Sequence, residues 1–146
     1  MVNTNRTALS LLFILLLTFV GSAQDLKKYQ WQNRIVLLKA VHLDSDKLQN
    51  QLTLLLSNTQ NLKDRDLLIF IVTDTSVYDD AKTKTELSSS AIIKNYDMAG
   101  FNGLLLIGKD GGVKLRKGFI VYPKTIYDLI DGMPMRKKEI RTKNKH

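Results

Sequence analysis

One histidine and several carboxylates follow the apolar segments of this chain, and they are the residues best suited to chemistry. His42, Asp44 and Asp46 come directly after the apolar run 34–41, and Asp74 follows the next such run. Carboxylate oxygens and an imidazole nitrogen can ligate a cation, so the group predicts a weak cation site or a polar pocket. Under the alternative interpretation, Asp44 caps a helix, Asp74 caps a turn and the others are solvated charges.

A second group of charges lies at the C-terminal end. Residues 136–146 carry a net charge of +5, whereas residues 24–135 carry only +2 of the total of +8. A basic segment of this kind could hold a polyanion such as lipid headgroups, envelope polysaccharide or nucleic acid, or it could serve only as a solubilising tail. Because the excess charge is confined to the tail, no specific nucleic-acid-binding face is predicted. The cations are Arg136, Lys137, Lys138, Arg141, Lys143 and Lys145.

Several familiar chemistries are excluded by the residues that the chain lacks. It has no cysteine, so it cannot catalyse thiol–disulfide exchange, act as a thiol peroxidase or ligate a metal through thiolates. The glycine-rich segment 108–112 lacks the Lys-Ser/Thr ending of a phosphate-binding loop and precedes no helix. The histidines are His42 and His146, and no Gly-x-Ser-x-Gly elbow is present, so no hydrolase triad can be named. We predict no cofactor and no assigned catalytic residue.

Four segments have the composition of β-strands. Residues 34–41, 67–73 and 104–107 are almost wholly apolar, which is typical of strands covered on both faces. Residues 113–116 alternate apolar and cationic side chains, as a half-exposed edge strand does. The glycine-rich segment 108–112 between the last two strands predicts a tight turn, and therefore a β-hairpin.

Three further segments predict helices. The first begins after residue 45 and has a leucine face formed by Leu48, Leu52, Leu55 and Leu56. The second is short and spans residues 88–95. The third begins at Pro123, ends at Gly132 and has a buried face formed by Ile126, Leu129 and Ile130.

The element order predicts the fold class. Residues 58–66 and 74–86 are predicted to be loops, and residues 136–146 a frayed tail with at most a short helix. The order β-α-β-(α)-β-β-α makes the first two strands parallel with a right-handed crossover, and the hairpin adds an antiparallel edge. We therefore predict an α/β fold with a central mixed sheet of about four strands and helices on both faces.

This topology brings the first group of polar residues to one place. Ligands of open α/β sheets bind beyond the carboxyl ends of the parallel strands. The predicted ligand edge gathers His42, Asp44, Asp46, Asp74, Asp79 and Asp80, with Asn102 close to them.

The element order resembles the thioredoxin fold, and two motifs carry a closer resemblance. LLLIGKDGGVKLR at residues 104–116 and LIDGMPMR at residues 129–136 resemble the DUDES domain, a thioredoxin-like domain of unknown function. That domain is shared by equarin, by sushi-repeat extracellular proteins of animals and by exported single-domain bacterial proteins. The resemblance covers about residues 30–141. It implies a thioredoxin-like three-layer fold ending in a hairpin and a C-terminal helix, within a domain over residues 24–135.

The chain departs from redox thioredoxins at both halves of their active site. The dithiol motif would fall near residues 43–46, where no cysteine occurs. The cis-proline would fall at Asn102, which cannot supply it, because cis peptide bonds are almost confined to proline. The resemblance therefore implies a scaffold without redox activity.

The N-terminal residues have the pattern of a signal peptide. Arg6 precedes the apolar segment 8–20, and the small residues 21–23 form a cleavage site. The apolar segment is shorter than the roughly 20 residues that span a bilayer. We therefore predict removal of residues 1–23 and a secreted or periplasmic protein without a transmembrane span. The alternative is that these residues stay attached as an N-terminal anchor.

These observations predict a function only in outline. We expect an exported, non-redox, thioredoxin-like module that binds a protein or a surface component of the envelope. The alternative is an enzyme of unfamiliar, thiol-independent chemistry that uses His42 and the nearby carboxylates. Convergence of His42 with at least two of these carboxylates would favour the enzyme, and scattered, solvent-facing side chains would favour the module. A third possibility is a structural or self-assembling unit.

Overall fold

The computed structural model describes residues 25–145, which form a five-stranded mixed sheet with helices packed on both faces. A short 3-10 helix, Leu26–Tyr29, precedes the sheet. The strands are β1 (Arg34–Lys39), β2 (Leu67–Val72), β3 (Val77–Asp79), β4 (Gly103–Ile107) and β5 (Val113–Lys117). The helices are α1 (Asp46–Leu56), α2 (Thr59–Asp64), α3 (Ser89–Asn95), α4 (Pro123–Asp131) and α5 (Pro134–Lys143).

The strand order β3-β2-β1-β4-β5 places the three predicted apolar strands side by side. β1 and β2 are parallel, and the other neighbouring pairs are antiparallel. The carboxyl ends of β1, β2 and β5 therefore meet the amino end of β4 at one edge, which we call the carboxyl-end edge. The opposite edge, where β1 and β2 begin, is the amino-end edge.

Each face of the sheet carries its own hydrophobic core, because successive side chains of a strand point to opposite faces. Val36 and Leu38 of β1 pack with the apolar residues of α1, α2 and α4. Leu37 packs on the other face with residues of α3 and of the 3-10 helix. This arrangement confirms the predicted three-layer α/β class and is consistent with the thioredoxin-like fold that the resemblance implies.

Two predicted loops contain regular structure. Segment 58–66 forms α2, in which Leu62 is buried and the Asn58 side chain accepts a hydrogen bond from the Asn61 N–H. Segment 74–86 contains β3, so the sheet has five strands where about four were predicted. A single buried residue in each element, Leu62 or Val77, leaves too weak an apolar pattern to be recognised.

The C-terminal predictions are correct in part. The third predicted helix begins at Pro123 and ends before Gly132, as expected, but Leu129 is 38% exposed and not buried. The segment predicted to be frayed forms the helix α5, because Glu139 binds Arg34 of β1 and Arg136 binds Asp64 at the end of α2. Within residues 25–145 no helix is long and apolar enough to cross a membrane. The predicted signal peptide, residues 1–23, lies outside the described residues.

Candidate functional site

The structure places the predicted ligand residues at the carboxyl-end edge. His42, Asp44 and Asp46 follow β1, and Asp74 follows β2. Asn102 joins them because Gly103, the first residue of β4, pairs with Lys39, the last residue of β1. The five predicted side chains are all exposed.

These side chains share an edge but do not form an enclosed site. The Asp74 carboxylate accepts a hydrogen bond from Nζ of the buried Lys39 at 2.7 Å and is thereby engaged. The described residues contain no group of three or more His, Asp or Glu side chains that could hold a metal ion. Their geometry therefore does not support the predicted cation site or polar pocket.

Asp79 and Asp80 do not lie at this edge. β3 runs antiparallel to β2, and Asp79 pairs with Phe70 near the middle of that strand. The Asp79 carboxylate accepts hydrogen bonds from the N–H groups of Ala81 and Thr83 and so shapes its own turn. The prediction placed these residues with Asp74 because it missed the return of the chain along β3.

Exposed apolar side chains provide a different surface at the carboxyl-end edge. Val41 follows β1, and Ile120 and Tyr122 follow β5, whose end pairs with the start of β4. Tyr122 is 69% exposed, Val41 50% and Ile120 41%. Large apolar side chains with free surface are the groups from which protein–protein contacts are built, and tyrosine is enriched among the residues that dominate binding energy.

A buried glutamine holds this segment in place. Gln51 of α1 donates a hydrogen bond from Nε2 to the Val121 carbonyl at 2.8 Å, and its Oε1 accepts one from the Val121 N–H at 2.6 Å. Gln51 is fully buried. The two bonds fix the backbone between Ile120 and Tyr122 and so determine how these two side chains are presented to solvent.

The amino-end edge carries a network of ion pairs that we call the amino-end cluster. Arg34, 1% exposed, directs its two Nη atoms to the Glu139 carboxylate at 3.1 and 3.2 Å. Arg136 binds the carboxylate of Asp64 and, at 3.2 Å, that of Asp131. The cluster also contains Arg65, Asp66, Lys109 and Lys143.

The cluster shifts the pKa values of its carboxylates. Burial alone raises the pKa of Glu139, but hydrogen bonds from Arg34 and Lys109 outweigh burial and hold the pKa below its ordinary value. The pKa of Asp131 is lowered in the same way, with burial opposing the effect of Arg65 and Arg136. A hydrogen bond from Lys143, helped by Arg136, lowers the pKa of Asp64.

We expect acid to weaken the attachment of α5. A carboxylate whose pKa is lower in the folded state contributes stability above its ordinary pKa, 4.5 for Glu139, and loses it as the pH falls through the folded-state value. Urea unfolding from neutral pH to about pH 3 should show this loss. Glu139→Gln should be less stable at neutral pH and should lose less stability in acid than the wild type. If both proteins lost the same stability in acid, Glu139 would not be the source of the pH dependence.

The helix α5 separates the predicted polyanion contacts into two sets. Arg136 faces inward and is only 3% exposed, so its charge is neutralised within the cluster and it is not available to a polyanion. Lys143 binds Asp64 at 3.0 Å. Lys137, Lys138 and Arg141 are exposed and have no ion-pair partner in the described part of the chain.

The residues that organise both edges were not predicted from the sequence. A signal for Gln51 was present, because it lies on the helical face of Leu48, Leu52 and Leu55, where a polar side chain must find a buried partner. No comparable signal marked Tyr122, and nothing local distinguished Arg136 from the lysines beside it.

The two motifs that carry the resemblance meet at the amino-end edge. Gly108, Lys109 and Asp110 of the hairpin turn line a cavity of about 300 Å³ together with Met133, Pro134 and Met135, which precede Arg136. Arg34 also lines this cavity, and its Nε is the one buried side-chain nitrogen or oxygen without a hydrogen-bond partner within residues 25–145.

Comparison with known proteins identifies a family without a described activity. Neither the curated proteins nor the solved structures include a match to this chain. The model of a family described as a domain of unknown function, DUF4174, matches residues 25–139, from the start of the described body to the glutamate that binds Arg34. This chain therefore belongs to the DUF4174 family.

Proposed function

We propose that this protein is an exported, thiol-independent binding module of thioredoxin-like, DUDES-type architecture. Its partner is a protein of the cell envelope, which it contacts through the carboxyl-end edge. One observation carries the proposal: Val41, Ile120 and Tyr122 expose apolar surface at that edge, where the resemblance implies the redox motif that this chain lacks.

The export part of the proposal rests on the pattern of residues 1–23. Removal of these residues gives a mature protein that begins near Gln24, which N-terminal sequencing of the secreted or periplasmic fraction can check. A full-length intracellular form as the sole product would contradict export.

Tyr122→Ala is expected to weaken partner capture at least about tenfold, because truncating an aromatic residue at the energetic centre of an interface costs about 2 kcal/mol or more. The measurement is retention of envelope proteins by the immobilised mature protein, compared between variants. Leu129→Ala is the matched control, since Leu129 is also an exposed apolar residue but lies on α4. Equal retention of the same envelope proteins by wild type and Tyr122→Ala would contradict binding through the carboxyl-end edge.

The exposed cations of α5 support an additional contact with polyanions. Lys137, Lys138 and Arg141 lie on the solvent side of the helix, whereas Arg136 lies on its inner side. Each exposed cation near an anionic membrane contributes about 1 kcal/mol, and such binding weakens with salt.

Replacing Lys137, Lys138 and Arg141 together by Gln should abolish retention on anionic vesicles at low salt and leave the fold intact. Vesicle co-sedimentation at increasing salt measures the effect, and circular dichroism checks the fold. Lys94, Lys124 and Lys117 replaced together by Gln provide a control with the same change of charge elsewhere on the surface. Equal loss in both triple variants would indicate attraction to overall charge and contradict a specific role for α5.

A further inference from the structure

The outer side of β2 is covered along only half of its length. β3 pairs with Phe70, Ile71 and Val72 and then turns away, with the Lys82 N–H bonded to the Asp79 carbonyl. Within residues 25–145 no strand pairs with Leu67–Ile69 on this side. The sheet therefore has a free edge about three residues long beside the end of β3.

Hydrogen bonds at both ends of β2 establish which backbone groups face this free edge. The Val72 carbonyl accepts from Ala40 N–H and the Asp66 carbonyl accepts from Arg34 N–H, so even-numbered residues face β1. The Thr73 N–H donates to the Ser76 carbonyl in the β2–β3 turn, so odd-numbered residues face outward. Because successive residues of a strand direct their N–H and C=O groups to opposite sides, Leu67 and Ile69 direct theirs outward.

These outward groups remain unpaired. No hydrogen bond found within the described chain joins the N–H or C=O of Leu67 or Ile69 to a loop or to a side chain. The two N–H groups can donate and the two C=O groups can accept, so an added strand can form up to four hydrogen bonds here.

A groove of about 580 Å³ lies along the same residues. Leu62, Leu67, Leu68, Ile69 and Phe70 give it an apolar lining. Its charged residues are three carboxylates, Asp66, Asp79 and Asp80, and one cation, Lys63; because Asp66 is paired with Lys109, the others leave a net charge of −1. The excess of negative charge favours a basic occupant.

We propose that this groove binds an extended peptide segment of a partner protein, which adds a strand to the free edge of β2. The segment alternates apolar residues with Lys or Arg. Backbone hydrogen bonds to Leu67 and Ile69 hold it in place, apolar side chains contact the lining, and the basic side chains meet the carboxylates. This contact is separate from the carboxyl-end edge, so it does not depend on the proposed function.

The test uses a synthetic hexapeptide of alternating Lys and Val, blocked at both ends, titrated into the ¹⁵N-labelled protein. We expect slower exchange of the Leu67 and Ile69 amide protons, with no change at the Arg116 amide, which faces the free side of the other edge strand, β5. The same peptide with N-methylated backbone amides, and the peptide with Glu in place of Lys, should bind at least about tenfold more weakly.

Variants separate this contact from general attraction between charges. Asp80→Lys should weaken binding of the Lys–Val peptide several-fold, and Asp44→Lys, the same change at the carboxyl-end edge, should not. Tyr122→Ala should leave peptide binding unchanged. The proposal is overturned if no amide of β2 responds at about 1 mM peptide, if the N-methylated peptide binds equally well, or if β5 responds in place of β2. It is also overturned if sedimentation shows that a second copy of the chain occupies the groove.

Discussion

Replacing Arg136 by Met is expected to lower the free energy of unfolding by about 2–3 kcal/mol. The guanidinium is almost fully buried and binds the carboxylates of Asp64 and Asp131 as well as the Asp64 carbonyl, at 2.7 Å. Removing one partner of a buried ion pair costs about 3–5 kcal/mol when the remaining charge stays buried. The side chains of Asp64 and Asp131 are about 40% and 36% exposed and can recover water, so we expect a loss smaller than this range or at its lower limit.

The measurement is urea unfolding of both proteins at neutral pH and constant salt. Lys137→Met is the matched control, because the neighbouring lysine is exposed and its replacement should change stability by less than about 0.5 kcal/mol. Met keeps most of the apolar stem in both variants. The difference between their free energies of unfolding therefore reports the contribution of the buried charge. Similar losses in the two variants would show that α5 is not held by the amino-end cluster.

Replacing Gln51 by Leu is expected to cost about 2–4 kcal/mol. Leucine has a similar volume but can neither donate to the Val121 carbonyl nor accept from its N–H, and each unsatisfied buried group costs about 1–3 kcal/mol. The loss also releases the backbone between Ile120 and Tyr122, so the Val121 amide proton should exchange faster. The variant therefore tests whether Gln51 holds the backbone of the proposed binding edge in place.

Asn50→Leu is the control for this substitution, because Asn50 is the exposed neighbour of Gln51 on α1. Denaturant unfolding gives the stability, and amide exchange gives the local effect. We expect the control to lie within about 0.5 kcal/mol of the wild type. A Gln51→Leu variant as stable as the control, with an unchanged Val121 amide, would show that the two hydrogen bonds do not stabilise this segment.

The sequence by itself determined the elements whose evidence is local. The apolar segments of β1, β2 and β4 predicted buried strands, and the glycine-rich turn predicted the hairpin. The leucine face predicted α1. Each of these features is a repeating pattern or a turn composition within a short stretch, so no knowledge of the rest of the chain is needed.

Only the tertiary structure decided which polar and charged residues are held inside. Arg136 and Lys137 are adjacent cations, yet one is buried because Asp64, 72 residues away along the chain, comes to lie beside it. Gln51 and Val121 pair across 70 residues. Sequence periodicity cannot identify such partners, because it indicates which face of an element is apolar and not which distant segment packs against that element.

The candidate surfaces also differ in whether the sequence could predict them. Topology alone placed His42 and Asp74 at one edge, since the carboxyl ends of parallel strands must meet there. The exposure of Tyr122 and the free edge of β2 depend on where a segment leaves the sheet and where β3 stops. Packing between distant segments determines both positions, so they became visible only in the folded chain.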